Sequence, residues 1–364
     1  MTSTTLIIAE AGVNHNGDIA LALELIDAAA EAGADMVKFQ TFKAAELSAT
    51  SAEKADYQKL TTDGAESQLD MLERLELGYD DHYKLLDHCA SRGITFLSTA
   101  GEVESLHFLT QKLRLPVVKL GSGELTNAPL LLAAGRSKAR ILLSTGMGTL
   151  SEVETALGAL AFGMTHKEDT YAGRAGFAES LLEVSVWESL RERVSLLQCT
   201  TEYPAAEEDT NLRVMDTMRQ AFGLEIGYSD HTKGNAISFA AVARGAKIIE
   251  KHLTLDRTME GPDHAASIEP RELAELVSGI RGIEKALGSG IKRPGKREIE
   301  NRKVVRRSLV AARDIASGTV LTSQDLMVKR PGHGISASDL WETIGRRVVR
   351  DLTKDEIIRA GDLS

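Results

Sequence analysis

From residue 6 to residue 288 the chain alternates two hydrophobic patterns. The first is a short, nearly continuous apolar run bounded by polar or turn-forming residues, which is how a strand buried on both faces reads. It occurs as "LIIAEA" (6–11), "MVKFQTF" (36–42), "ITFLSTA" (94–100), "VVKLGSG" (117–123), "ILLSTGM" (141–147), "VSLLQCT" (194–200), "LEIGYSD" (224–230) and "KIIEKHL" (247–253). The second pattern places apolar residues at helical spacing. In "DIALALELIDAAAEAG" (18–33) Asp18 is positioned to cap the N-terminus and Gly33 to stop the C-terminus. "SEVETALGALAFG" (151–163) predicts another helix, capped by Ser151, and "PRELAELVSGIRGIEKALG" (270–288) a last one.

Eight strand–helix units predict an α/β fold, a (β/α)8 TIM barrel over residues 1–288. An open doubly wound sheet would carry a Gly-rich phosphate loop after an early strand, and no G-x-G-x-x-G stands there. Two connections, 43–80 and 164–193, are too long for plain loops, which predicts functional lids or added outer helices. Beyond 288 the pattern breaks. "SGIKRPGKREIENRK" (289–303) is polar, basic and punctuated by Gly and Pro, and reads as a linker. Residues 304–364 then predict a small β-rich domain of two similar halves. "ARDIASGTVLTSQDL" (312–326) and "VRDLTKDEIIRAGDL" (349–363) align Arg313 with Arg350, Asp314 with Asp351, Asp325 with Asp362 and Leu326 with Leu363.

One strand breaks its own pattern. "KIIEKHLTL" (247–255) places Glu250, Lys251 and His252 in the middle of an apolar run. Chemistry in such barrels gathers at the C-terminal ends of the strands. Those ends here carry Glu10, Lys38, Gln40, Ser98, Thr99, Lys119, Ser122, Glu124, Ser144, Thr145, Thr200, Thr201, Tyr203, Ser229, Asp230 and His231 besides. Lysines supply charge, hydroxyls supply directed donors and glycines let backbone approach, so the set suits a phosphate or carboxylate. His231 and His252 end neighbouring strands. With carboxylates nearby (Glu10, Asp230, Asp263) they suit a divalent ion such as Mn²⁺, Co²⁺, Fe²⁺ or Zn²⁺, able to polarise a carbonyl. On these grounds alone a metal-dependent aldolase or an amidohydrolase stays open, although the H-x-H of the latter is missing from strand one.

Composition narrows the class. The net charge of −10 argues against nucleic-acid and anionic-membrane partners, and no run approaches the length of a membrane helix. The start "MTSTTLIIAEAG" lacks a cationic leader with an apolar core, which predicts no signal peptide. Two cysteines, Cys89 and Cys199, fit a reducing, cytoplasmic setting without disulfides and read as small buried hydrophobes.

The motifs together resemble a known family. "AEAGVNHNGD" (9–18), "VKFQTF" (37–42), "KLGSGE" (119–124), "LSTGM" (143–147), "QCTTEYPA" (198–205), "GYSDHT" (227–232), "IEKHLTLD" (249–256) and "GPDHAASIEP" (261–270) are similar to those of bacterial sialic (nonulosonic) acid synthases. "KRPGHGIS" (329–336) resembles their antifreeze-like SAF domain. The resemblance implies a transferase that condenses phosphoenolpyruvate with an N-acetylated mannosamine-type sugar, releasing phosphate by C–O cleavage. It implies His231 and His252 as metal ligands, with Mn²⁺ the usual ion and Mg²⁺ or Co²⁺ the alternatives. Lys38, Thr99, Lys119, Ser122, Ser144, Thr201 and Ser229 match positions around phosphoenolpyruvate, and Gln40 and Tyr203 match contacts to the sugar. Glu10, Glu124 and Asp263 match the catalytic carboxylates. Arg330 matches an arginine that a neighbouring subunit's SAF domain inserts over the mouth, which implies a domain-swapped homodimer.

The stretches "AEAGVNHNG" and 56–77 look most like legionaminic acid synthases, whose acceptor is 2,4-diacetamido-2,4,6-trideoxymannose. N-acetylneuraminate synthase, using N-acetylmannosamine, is the alternative; pseudaminic acid synthase and a non-catalytic sugar-binding protein are remoter ones. "STAGEVES" (98–105) lacks the Pro-Phe-Asp common after Ser-Thr in the family, and 164–193 is longer than the family pattern implies.

Overall fold

The structure is a computed structural model that describes residues 4–63, 66–167, 170 and 173–364. Eight parallel strands close into a barrel in chain order: β1 (Leu6–Gly12), β2 (Met36–Thr41), β3 (Thr95–Ala100), β4 (Val117–Leu120), β5 (Arg140–Ser144), β6 (Val194–Cys199), β7 (Glu225–Asp230) and β8 (Ile248–His252). β8 returns to β1 with Ile8 opposite Glu250 and Glu10 opposite His252, so no edge is left open. Each strand falls on the apolar run that predicts it, β1 running one residue further to Gly12 and β5 starting one residue earlier at Arg140.

Alternation along the strands decides what fills the barrel. Ile8, Leu97, Leu142, Leu197 and Ile248 point inward and form a buried apolar plug. The next inward positions, two residues further on, are Glu10, Thr99, Ser144, Cys199 and Glu250. The outward set, such as Ile7, Val37, Val118, Ile141 and Ile249, packs beneath the helices. Polar side chains therefore begin one layer above a dry floor.

Helix α1 (Ile19–Glu31) follows β1, with Asp18 Oδ1 accepting from Ala20 N at 2.8 Å and Gly33 at φ +83°, a left-handed stop that favours glycine. The 43–80 connection forms α2 (Ala44–Leu47), α3 (Asp56–Thr61) and α4 (Gln68–Leu75) before α5 (Tyr79–Arg92). α6 (Val103–His107) runs on into a π-helical turn, and α7 (Ala128–Arg136) follows β4. α8 (Leu150–Thr165) starts one step earlier than expected. Its cap is Thr149, not Ser151, because Thr149 and Glu152 form a reciprocal capping box: Thr149 N donates to Glu152 Oε2 at 2.7 Å and Glu152 N donates to Thr149 Oγ1 at 3.3 Å. The described part of 164–193 forms outer helices, α9 (Arg174–Ser180), which packs on α8, and α10 (Val184–Arg193). α11 (Val214–Phe222), α12 (Ala236–Ala243) and α13 (Pro270–Leu287) complete the shell.

The chain divides into two compact units, Met1–Gly288 and Ser289–Ser364. In the second, Lys296–Val305 is helical (α14) where composition predicts a linker. This helix buries no residue, so it carries no apolar periodicity for a sequence reading to detect. The remainder packs Leu309, Ala311, Ile315, Leu321, Val348, Leu352 and Ile358 around β9 (Ser308–Ala311) and its antiparallel partner β10 (Leu326–Lys329). Its two halves bond to each other reciprocally. Ile315 N donates to Leu352 O and Leu352 N to Ile315 O, both at 2.8 Å. Ala311 N donates to Glu356 O, and Val348 N to Thr319 O, both at 2.9 Å. Asp351 accepts from Ser317 N at 2.7 Å while Asp314 accepts from Lys354 N at 2.8 Å. Arg313 and Arg350 hold Asp325 and Asp362 at 2.8 and 2.7 Å. The aligned residues of the repeat are thus the ones that make equivalent bonds.

Candidate active site

The C-terminal mouth of the barrel holds a cleft of about 260 Å³. Of the residues that the resemblance assigns, all line it except Thr201 and Arg330. At its foot, Glu250 bridges two lysines. Its Oε1 accepts from Lys119 Nζ at 3.0 Å and from Ser229 Oγ at 2.7 Å, and its Oε2 lies 3.1 Å from Lys38 Nζ. Lys38 also reaches Glu10 Oε1 at 3.2 Å and donates to Thr99 Oγ1 at 3.0 Å. Glu10, Lys38, Lys119, Ser229 and Glu250 are all buried.

Burial and charge act against each other in this cluster. Burial would raise the Glu250 pKa, but Lys119 and Lys38 outweigh it and hold the carboxyl well below the usual range. Glu10 is pushed up to about 8 by burial, against the pull of Lys38 and with a further push from Glu250. Burial would lower Lys38, yet Glu10 and Glu250 hold it above the ordinary lysine value. Lys119 ends below that value because burial dominates, opposed by Glu250 and reinforced by Lys38.

Hydroxyls line the next sector of the ring. Ser122 opens the turn after β4, and its Oγ accepts from Gly146 N at 3.0 Å and lies 3.0 Å from Cys199 Sγ. The Oγ of Ser144 and the Oγ1 of Thr201 are buried with no hydrogen-bond partner. A Cβ at Gly146 would overlap Thr201 Oγ1 and come within 2.7 Å of Ser122 Oγ, so only glycine leaves this bay open. Unpaired hydroxyls beside a glycine backbone make a cradle for an oxyanion.

The two histidines meet as their strand positions predict, with ring centroids 5.4 Å apart. Tyr203 stacks on His231 at 4.1 Å and meets His252 edge-on at 5.5 Å. His231 Nδ1 lies 2.6 Å from the Thr200 carbonyl oxygen, which can only accept, so Nδ1 carries the proton. Ser229 gives its own proton to Glu250, which leaves the lone pair on His231 Nε2, 3.3 Å away, unclaimed. His252 Nδ1 is buried without a hydrogen-bond partner, 3.7 Å from Asp263 Oδ2. Burial lowers His231 to about 4 and, with His231 beside it, takes His252 well below its usual value, so both imidazoles are neutral. Asp263 is raised by burial to about 6, with Lys38 opposing. Glu124 is half-buried, raised by burial and restrained by Asn127 Nδ2, which donates to it at 2.6 Å.

Asp230 does not join the site. It lies on the even, outward parity of β7 and faces the helix layer, where Thr232, Ser238 of α12 and Lys251 satisfy it; Lys251 Nζ is 3.0 Å away. Lys251 faces the same layer, as its alternation with Glu250 and His252 predicts. Arg330, which the resemblance assigns to a neighbouring copy's mouth, is exposed in the second unit after β10. The sequence reading missed Asn14, which lies within the quoted "GVNHNG". Its Nδ2 donates to Leu253 O at 2.9 Å and to Ser267 Oγ at 2.8 Å, and Ser267 in turn donates to Asp263 O at 2.7 Å. Asn14 thereby fastens the loop that carries Asp263; a buried asparagine beside a strand end was the available signal.

A closed parallel barrel whose mouth gathers two buried lysines, an open hydroxyl bay and two neutral histidines has the architecture of a TIM-barrel enzyme, with a mouth suited to an anion. Comparison with known proteins makes this specific. The NeuB family model matches residues 25–292 and the SAF domain model residues 306–364. An N,N'-diacetyllegionaminic acid synthase of Campylobacter jejuni is 46% identical over 355 residues, 98% of this chain and 99% of that one. Another, from Legionella pneumophila, is 43% identical over 350 residues, 96% and 92% of the two chains. The crystal structure of an N-acetylneuraminic acid (sialic acid) synthetase from Leptospira borgpetersenii, in complex with citrate, is similar with a TM-score of 0.67 at 34% identity, covering 84% of this chain and 93% of that one. The chain belongs to the NeuB family, carries a C-terminal SAF domain, and is an enzyme of the transferase class.

Proposed function

We propose that this enzyme condenses phosphoenolpyruvate with 2,4-diacetamido-2,4,6-trideoxymannose, giving N,N'-diacetyllegionaminate and phosphate. The observation that carries the reading is the Lys38–Glu250–Lys119 bridge set beside a hydroxyl bay and facing two histidines with unclaimed lone pairs. The two legionaminic acid synthases among its relatives support the choice of acceptor.

Lys38 and Lys119 meet the carboxylate and phosphate charges of phosphoenolpyruvate. Thr99, Ser122, Ser144, Thr201 and Ser229 direct hydrogen bonds to its oxygens. Gln40 and Tyr203 hold the open-chain sugar. The C3–C2 π pair of phosphoenolpyruvate forms the new C–C bond with the sugar aldehyde carbon, and the aldehyde oxygen takes a proton. Water adds to the cationic C2 and gives up a proton, and the C2–O bond to phosphate then breaks. Glu10, Glu124 and Asp263 are the groups placed to move these protons and to oppose the charge at C2. Losing one such group typically costs about 10²–10⁴-fold in rate.

The residues fit a divalent cation. Among the described residues no three His, Cys, Asp or Glu groups form a closed cage. The two imidazoles would hold the ion, Mn²⁺ before Mg²⁺ or Co²⁺, with oxygens of water and substrate completing its shell. Bound there, such an ion supplies Lewis-acid polarisation of the aldehyde. Arg330 of a second copy is proposed to cover the mouth in a domain-swapped dimer.

Phosphate release in steady state, with each candidate sugar in turn, tests the acceptor. A higher kcat/KM for N-acetylmannosamine would replace the legionaminate reading, and no release with either sugar would leave a binding protein. His252→Ala, assayed for activity and for bound metal, tests the cation; unchanged values of both would sink the metal role.

A further inference from the structure

The rim of the mouth differs in chemistry from one side to the other. The hydroxyl bay stands after β4, β5 and β6. Across the ring, above the ends of β1 and β2, the same cleft is walled by Val13, Phe42, Leu47, Met71, Leu72 and Leu75. Val13, Phe42, Met71 and Leu75 are buried in one apolar cluster, and Leu72 packs against it. Leu47, from α2, remains 38% exposed at the rim. The 43–80 connection therefore delivers a hydrophobic wall to the cleft through α2 and α4.

The loop after β3 is shaped to this wall. A Cβ at Gly101 would lie 2.8 Å from Phe42 Cβ and 3.5 Å from Leu47 Cδ1, so glycine lets the loop close on both. Gly101 N donates to Thr41 O at 3.0 Å, and Glu102 caps α6 through Ser105 N at 2.7 Å. The departure from the family's Pro-Phe-Asp thus has a place in the fold: it lets Phe42 and Leu47 pack against a loop that has no side chain there.

An apolar wall discriminates against hydroxyls, which lose water there without gaining a partner. Two methyl groups, one on a deoxygenated carbon and one on an acetamido group, lose nothing by touching it. We infer that the α2–α4 wall selects the acceptor by its C4–C6 end, favouring a sugar with a methyl at C6 and an acetamido group at C4 over a fully hydroxylated one. This rests on the condensation proposed above.

Leu47→Asn and Leu72→Asn, singly and together, test it. Both positions are partly exposed and the change is close to isosteric. The melting temperature and the KM for phosphoenolpyruvate report whether the fold and the anion side persist. The quantity read is the ratio of kcat/KM for the 2,4-diacetamido-2,4,6-trideoxy sugar to that for N-acetylmannosamine. The double variant is expected to lower this ratio about tenfold or more, the scale at which an apolar pocket separates substrates differing by small groups. An unchanged ratio, including equal losses on both sugars, overturns the wall's role. A wild-type preference for N-acetylmannosamine would overturn the acceptor assignment alone, since the change in ratio still decides the wall. No turnover of either sugar overturns both.

Discussion

Glu250 bridges two buried lysines and raises the pKa of both against the burial that lowers them. Removing one partner from a buried ion cluster costs about 3–5 kcal/mol, because the remaining charges stay desolvated. Glu250→Gln is therefore expected to lower the unfolding free energy measured in urea by an amount in that range, and added inorganic phosphate to recover more stability in the variant than in the wild type. Equal responses to phosphate would show that the lysines do not face the anion site. Parity made this residue legible: Glu250 and His252 alternate inward, and Lys251 turns outward. The same rule applied to Ser229 and Asp230 would have sent Asp230 to the helix layer, where Thr232, Ser238 and Lys251 hold it. Asn14 stayed hidden because its partners, Leu253 and Ser267, lie more than two hundred residues away along the chain.

At the scale of elements, the barrel strands were readable because strands buried on both faces leave unbroken apolar runs. Helix starts were less so, and the Thr149–Glu152 box was overlooked in favour of Ser151 although its S/T-x-x-E spacing is a sequence signal. α14 had no signal, since a helix that buries no residue has no apolar face to mark. In the second unit the repeat pointed to the Arg–Asp pairs, which set a pH dependence. Burial would raise Asp325, but the Thr322 hydrogen bonds and Arg313 outweigh it; Arg350 and the Arg359 N–H do the same for Asp362. Both folded pKa values are depressed, so their stabilisation is present above the unfolded value of about 3.9 and disappears as pH falls through the folded one. Asp325→Asn and Asp362→Asn should thus be less stable than wild type at neutral pH, with the gap closing as pH falls below the unfolded carboxyl value of about 3.9. A gap independent of pH in thermal unfolding would show that the carboxylate charges contribute nothing.

At the scale of the whole molecule, the 43–80 and 164–193 connections look alike in length and have opposite destinations. The first walls the mouth and the described part of the second stays outside, packed on α8. An amphipathic pattern such as "QLDMLERLEL" shows that a face will be buried, but not against what, so the acceptor wall was not legible in the sequence. The proposed swap of Arg330 between copies can be read from mixtures. His252→Ala and Arg330→Ala are each expected to be nearly inactive, whereas chains mixed and allowed to exchange should regain part of the activity, because one mouth of the mixed dimer has both residues intact. Confirmed exchange without recovery would place Arg330 over its own barrel or over none.

The reciprocal bonding within residues 311–363 also bears on how that unit comes apart. Ile315 has its backbone partner in Leu352, Ala311 in Glu356, Val348 in Thr319, and the two aspartates 314 and 351 each bind the opposite half. Each half also keeps some pairing of its own, β9 with β10 in the first and Val348 with Leu363 in the second, and the bonds between halves add to it. Fraying one half strips the other of these cross-half donors and acceptors at the same step, so the two halves act as a clasp whose sides loosen together.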